Sequence, residues 1–260
     1  MNHDRAPQHL RLRRGAYLLP SVFTIGNILL GFYAVTLGVG SSFQRAAVMI
    51  FIAGILDALD GRIARLSGTA SEFGREFDSL ADVLTFGAAP ALLSFLWGLG
   101  ELGRIGWLVP LFFLVCTATR LARFNVQTRV VDSRYFVGLP APAAAAGIAS
   151  ILFFAPDHQW RAWVSALLLI ALLSLGGLMI STFRYHSFKR LDLKRRWSYR
   201  AALPLALVLL VVAYHPPAAF LAVATLYTLS GPSTWLWGYL HRKGGEPSPS
   251  TDPPSHEAHS

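Results

Sequence analysis

Asp57, Asp60, Asp78 and Asp82 are the residues of this chain best placed for chemistry, because they stand inside a strongly apolar stretch from about Ala46 to Trp97. Their spacing is i,i+3 and then i,i+4, so each pair shares one face of a helix. Four uncompensated carboxylates in a low-dielectric setting cost more than a fold can spare, so something cationic belongs among them. No His or Cys lies in that stretch, and an all-oxygen ligand set favours a hard divalent ion, Mg²⁺ or Mn²⁺, over zinc or copper. Four carboxylates can hold two such ions, and two-metal sites suit displacement at phosphorus. The neighbouring residues fit a phosphate-bearing ligand. Gly61 lets backbone come close, Arg65 one turn on offers a fork of donors, and Thr69, Ser71 and Gly74 add hydroxyls and backbone N–H groups in the connection that follows.

Two other readings of these acids carry less weight. Ion pairs with Arg62 and Arg65 could hold helices together without chemistry, but two arginines do not neutralise four aspartates, and buried pairs stabilise a fold poorly. A proton relay or a divalent-cation transporter needs acids spread across the membrane or among several helices, whereas these cluster on one side.

The elements that must position the aspartates are membrane helices. Hydrophobic residues make up 53% of the 260 and charged residues only 14%, and the apolar runs repeatedly approach the length that spans a bilayer. The expected fold class is all-α and polytopic, with helices at about 17–40, 44–66, 75–98, 104–125, 139–155, 161–182, 200–214 and 217–239. The charge pattern supports that segmentation: with the N-terminus inside, only Arg45, Arg104 and Arg161 of the 23 basic residues fall outside, as the positive-inside rule requires. Both termini and the aspartates then face the cytoplasm. The net charge of +9 follows from topology, and no nucleic-acid-binding module is visible. The expected organisation is a basic arm over 1–16, a membrane-embedded catalytic domain over 17–240 and a disordered cytoplasmic tail over 241–260, rich in Pro, Ser and Gly. The first run is read as a retained helix rather than a signal peptide, being too long and without a convincing small-residue cleavage site. The single cysteine, Cys116, excludes an intrachain disulfide and a thiolate metal cluster. The short connection between the second and third helices makes them adjacent and antiparallel. Asp57 lies roughly 13 Å from the end of its helix, a depth that Asp82 can match.

The run Asp57-Ala-Leu-Asp60-Gly61-Arg-Ile-Ala64-Arg65, followed by eight residues, Gly74, three residues, Asp78, three residues and Asp82, resembles the signature of the CDP-alcohol phosphatidyltransferases without gap or substitution. That resemblance implies a helical membrane enzyme, usually a homodimer, with a core of six transmembrane helices and a polar cavity facing the cytoplasm. Here about two further C-terminal helices follow the core. It also implies that CMP is displaced from a CDP-linked lipid by an alcohol hydroxyl. By matching positions, Asp57, Asp60 and Asp78 are implied as metal ligands, and Asp82 as a ligand of the second ion that also accepts the proton. Gly61, Arg65 and Ser71 are implied to hold the CDP moiety.

The acceptor alcohol is set by residues outside the signature. Glu76 to Pro90, Arg120-Leu-Ala-Arg123-Phe-Asn125, Phe136 to Pro142 and the opening Pro20 to Asn27 with Gly31 are similar to the phosphatidylserine synthase branch of the family. That similarity implies CDP-diacylglycerol and L-serine as substrates; glycerol phosphate, inositol or choline would be the alternative acceptors. Ser21, Thr24 and Asn27 form a polar stripe on the first helix, suited either to interhelical hydrogen bonds or to contact with the nucleotide and the surroundings of the metal. Arg120 and Arg123, with Asn125 just beyond, are either anchors that snorkel to lipid headgroups or a bidentate grip on the acceptor's carboxylate. The basic stretch from Arg184 to Arg200 reads as a positive-inside loop or as an interfacial segment drawn to anionic lipid.

Overall fold

The small residues of this chain mark where its helices meet. A computed structural model describes residues 9–67, 72–128, 136–156, 161–185 and 215–242. They form α1 (His9–Val39), α2 (Phe43–Ser67), α3 (Glu72–Asp82), a π-helical segment (Val83–Ala88), α4 (Ala89–Trp97), α5 (Arg104–Thr128), α6 (Ala141–Phe154), α7 (Arg161–Ile180) and α8 (Pro216–Arg242). α2 lies between α1 and α6. Ala46, Ala47 and Ala53 of α2 and Ala141, Ala144, Ala145 and Ala149 of α6 are buried. In lipid there is little hydrophobic drive between helices, so close approach of small residues and van der Waals packing provide the contact. Other large apolar side chains point outward: Phe32 is 73% exposed and Trp163 81%, as lipid-facing residues should be.

Four spans are long and apolar enough to cross a membrane: Val22–Val39, Glu72–Trp97, Arg104–Val126 and Ala162–Ile180. α2 is long enough but carries Arg45, Asp57, Asp60, Arg62 and Arg65, so its polarity belongs to the site rather than to lipid. α6 has 14 residues, shorter than a straight span. The expected helix at 200–214 lies outside the described residues. Helix boundaries match the expectations within a few residues, with two corrections. α1 begins at His9, eight residues before the expected start at 17; no breaker stands between His9 and Leu19 except Gly15. α3 begins at Glu72, an acid in its first turn where the helix dipole favours one, so Gly74 is helical rather than part of the connection.

The span Glu72–Trp97 is one helical rod with a change of pitch. Val83–Ala88 follows π geometry, with Thr85, Phe86 and Gly87 buried. Such segments rephase the faces of a helix and concentrate near functional sites. Thr85 Oγ1 donates to the Asn27 carbonyl at 3.0 Å, docking the π segment on α1. Gly31 permits this: a Cβ there would stand 2.8 Å from Thr85 Oγ1 and 3.0 Å from Thr85 Cα. At the opposite end, Trp97 Nε1 donates to the Ala155 carbonyl at 2.9 Å, tying α4 to the end of α6.

Two short strands, Phe136–Val137 and Arg184–Tyr185, pair antiparallel and draw the segment before α6 against the end of α7. Gly138 turns the chain there at φ +83, a conformation suited to glycine. α8 packs chiefly on α6. It is anchored by Phe220, which stacks on Phe51 of α2 at 4.5 Å and meets Phe153 of α6 edge-on at 6.0 Å.

Gly31→Ala should separate α1 from the π segment at a cost of about 1–3 kcal/mol, lowering the unfolding temperature in detergent. Adding Thr85→Ala should recover part of the loss; an unchanged melting temperature in Gly31→Ala would contradict the close approach.

Candidate active site

The antiparallel α2 and α3 place the aspartates at one depth. Asp57 precedes the end of α2 at Ser67 by as many residues as Asp82 follows the start of α3 at Glu72, roughly 15 Å along each axis. Carboxylate oxygens of Asp57, Asp78 and Asp82 lie within 4.8 Å of one another. Asp82 is buried, and Asp57 and Asp78 are half-buried. Asp60, one turn beyond Asp57, stands beside this group. Its Oδ2 accepts from Thr24 Oγ1 at 3.1 Å, and its charge acts on both Asp78 and Asp82.

Like charges at that separation repel by about 3.5 kcal/mol per pair at an effective dielectric near 20. Three pairs together approach the whole net stability of a domain. Among the described residues, Asp60 Oδ1 and Asp82 Oδ1 are buried without a hydrogen-bond partner. Buried, unpartnered carboxylate oxygens beside like charges are lone pairs prepared for a cation. The donor set is all oxygen, and its span suits ligand bonds of roughly 2.0–2.6 Å around one centre. The residues fit a hard divalent ion.

The other site candidates divide into those brought to the aspartates and those employed elsewhere. Asn27 is 1% exposed with both side-chain polar atoms unpartnered among the described residues, one helical turn from the Thr24 that holds Asp60. Gly61 follows Asp60 within α2 and is half-buried. Arg65 belongs to the last turn of α2, and its side chain lies outside the described residues, as do Thr69 and Ser71. Gly74 sits in the first turn of α3.

The three acceptor candidates separate cleanly. Arg123 Nη1 donates to the Ile180 carbonyl at 3.3 Å, closing the C-terminus of α7, where carbonyls need donors. Asn125 Nδ2 donates to Ser79 Oγ at 2.9 Å and to Glu76 Oε2 at 3.3 Å, bracing α5 against α3. Only Arg120 turns to the aspartates: its guanidinium acts on Asp82 and Asp57, and its Nε is buried without a partner among the described residues. Arg120 is therefore not a headgroup anchor.

Three features of the site were not anticipated from sequence: the brace of Glu76 and Ser79, the Thr85 contact and the π segment. Glu76 and Ser79 were legible in principle, since they share a helical face i,i+3.

Because the cluster is repulsive without metal, Asp78→Asn should raise the melting temperature of the metal-free protein by several degrees while weakening Mn²⁺ binding at least tenfold. If the acids instead served structural ion pairs, the same change would lower the melting temperature.

The chain matches the CDP-alcohol phosphatidyltransferase family model over residues 17–176. It is 37% identical over 222 residues to a CDP-diacylglycerol–serine O-phosphatidyltransferase of Helicobacter pylori, covering 85% of this chain and 92% of that protein. It is 33% identical over 172 residues to the enzyme of the same name from Bacillus subtilis, covering 66% and 92%. Similarity to the archaetidylserine synthase of Methanothermobacter thermautotrophicus is 34% over 169 residues, covering 64% and 69%. A carboxylate cluster on two antiparallel helices and a family match spanning both lead to one conclusion: the chain belongs to the CDP-alcohol phosphatidyltransferases, a family of membrane-integral transferases.

Proposed function

We propose that this protein transfers a phosphatidyl group from CDP-diacylglycerol to the hydroxyl of L-serine, giving phosphatidylserine and CMP. The observation that carries the reading is the close approach of Asp57, Asp78 and Asp82 oxygens beside the inward-turned guanidinium of Arg120. The relatives named for serine transfer support the choice of acceptor, and an α-amino acid differs from the other candidate alcohols in bringing a carboxylate for an arginine to hold.

In this reading Asp57, Asp60, Asp78 and Asp82 hold two divalent ions, Mg²⁺ or Mn²⁺. Bound there, such ions would neutralise charge on the pyrophosphate oxygens. Thr24 holds Asp60 in the ligating orientation through its hydroxyl. Gly61, Gly74, Arg65, Thr69 and Ser71 receive the cytidine diphosphate, and the unpartnered Asn27 amide contributes a donor and an acceptor at its edge. Arg120 binds the serine carboxylate. Asp82 accepts the proton of the serine hydroxyl as that oxygen bonds to the phosphorus carrying diacylglycerol. The bond from that phosphorus to the bridging oxygen breaks, and CMP departs with that oxygen. A single displacement needs no covalent nucleophile, and no Ser, Cys or His stands out as one. The active site and both termini face the cytoplasm, in keeping with the distribution of basic residues, and the enzyme works as a homodimer, a part of the reading that rests on family resemblance alone.

Purified protein given CDP-diacylglycerol, Mg²⁺ or Mn²⁺ and, separately, serine, glycerol 3-phosphate, inositol or choline should incorporate serine and release CMP in equal amount. Asp82→Asn should reduce that rate at least a thousandfold with the fold retained. Incorporation of another alcohol in place of serine would overturn the acceptor, and retained activity in Asp82→Asn would overturn the proton acceptor.

A further inference from the structure

α3 carries two of the four aspartates, and its own attachment decides where they stand. It packs on α1 and continues into the π segment, while Phe73 and Leu80 on its outer side are 75% and 64% exposed. On the flank toward α5, Asn125 Nδ2 donates to Ser79 Oγ at 2.9 Å and to Glu76 Oε2 at 3.3 Å. Ser79 Oγ lies 3.0 Å from the Arg75 carbonyl. A carboxylate only accepts and an amide nitrogen carries two hydrogens, so the nitrogen of Asn125 is the atom that faces both partners. The one hydrogen of Ser79 then goes to Arg75, and its lone pair to Asn125. Asn125 thus grips α3 at two points one turn apart.

Ser79 directly follows Asp78 and precedes Asp82 by three residues, so the gripped face lies about 100° around the helix from the face that carries the carboxylates. A helix held on its flank is held against rotation. Turning α3 by about 20° would move a carboxylate ~6 Å from the axis by roughly 2 Å, a whole metal–oxygen bond length. Repulsion among Asp57, Asp78 and Asp82, whose oxygens lie within 4.8 Å of one another, drives the helix toward such a rotation.

We propose that Asn125 is a positioning residue for the metal site: by gripping Ser79 and Glu76 it holds α3 in the rotation at which Asp78 and Asp82 meet Asp57, so that the ligands are gathered before an ion arrives. It acts through α3 and does not itself ligate the ion. With the grip removed the carboxylates move apart, and an ion must gather them as it binds, which weakens binding. The inference rests on the reading that the aspartates hold divalent metal.

The test is Mn²⁺ binding to the purified full chain without substrate, read from the electron paramagnetic resonance signal of free Mn²⁺. Asn125→Ala and Ser79→Ala should each raise the Kd about tenfold, the size of one hydrogen bond's net contribution. The double substitution should fall well short of the product of the two effects, as expected of residues acting as a unit. Ser79→Thr, which keeps the hydroxyl, should stay within about threefold of the unsubstituted protein. An unchanged Kd in both alanine variants, with or without a lowered melting temperature, would overturn the inference and leave Asn125 a purely structural brace. Full additivity, or a loss in Ser79→Thr as large as in Ser79→Ala, would overturn it as well. Failure of the unsubstituted protein to bind Mn²⁺ would instead overturn the metal reading on which it rests.

Discussion

Mutual repulsion among carboxylates in a poorly polarisable surrounding is the constraint on which this structure turns. Asp57, Asp78 and Asp82 hold oxygens within 4.8 Å of one another, and Asp60 adds its field from one turn away. No arrangement of apolar helices favours that by itself. The fold tolerates it because packing elsewhere holds α2 and α3 in place: α2 is gripped along its small-residue faces by α1 and α6, and α3 is braced by Asn125 and docked through Thr85. Stability is concentrated away from the site, and the site is left with charge that a cation completes. This is local destabilisation kept for function, sustained by a surrounding that over-determines it.

The same constraint explains the distribution of polar partners. Thr24 engages one oxygen of Asp60 and leaves the other unpartnered among the described residues. Of the two arginines on one face of α5, the one nearer the membrane interior turns to the carboxylates and the other closes a helix end. The π segment directly after Asp82 rephases the helix, so that Asp78 and Asp82 face α2 while Thr85 meets α1.

Much of this was legible in the residues. The pairing of Asp57 with Asp78 and Asp82 follows from helical period and one short connection, both local quantities. The approximate helices follow from apolar runs broken by Gly, Pro and charge. Legibility failed where the deciding contact is distant in sequence. Whether Arg120, Arg123 or Asn125 faced the site depended on where α3 and α7 lie around α5, which no local pattern encodes. Gly74 was placed in the connection with Thr69 and Ser71, yet Glu72 starts the helix ahead of it. The packing of α8 depends on an aromatic clamp between three helices far apart in the chain, and the π segment has no periodicity signal short enough to read.

The central claim is that the aspartates of α2 and α3 hold divalent metal. Anomalous diffraction from crystals of the protein soaked in Mn²⁺ tests it most directly. The account predicts a strong peak about 2.0–2.4 Å from carboxylate oxygens of Asp57, Asp78 and Asp82, absent when these residues are replaced by asparagine. A saturating soak that leaves those carboxylates without a peak, or that places the metal elsewhere, would contradict it.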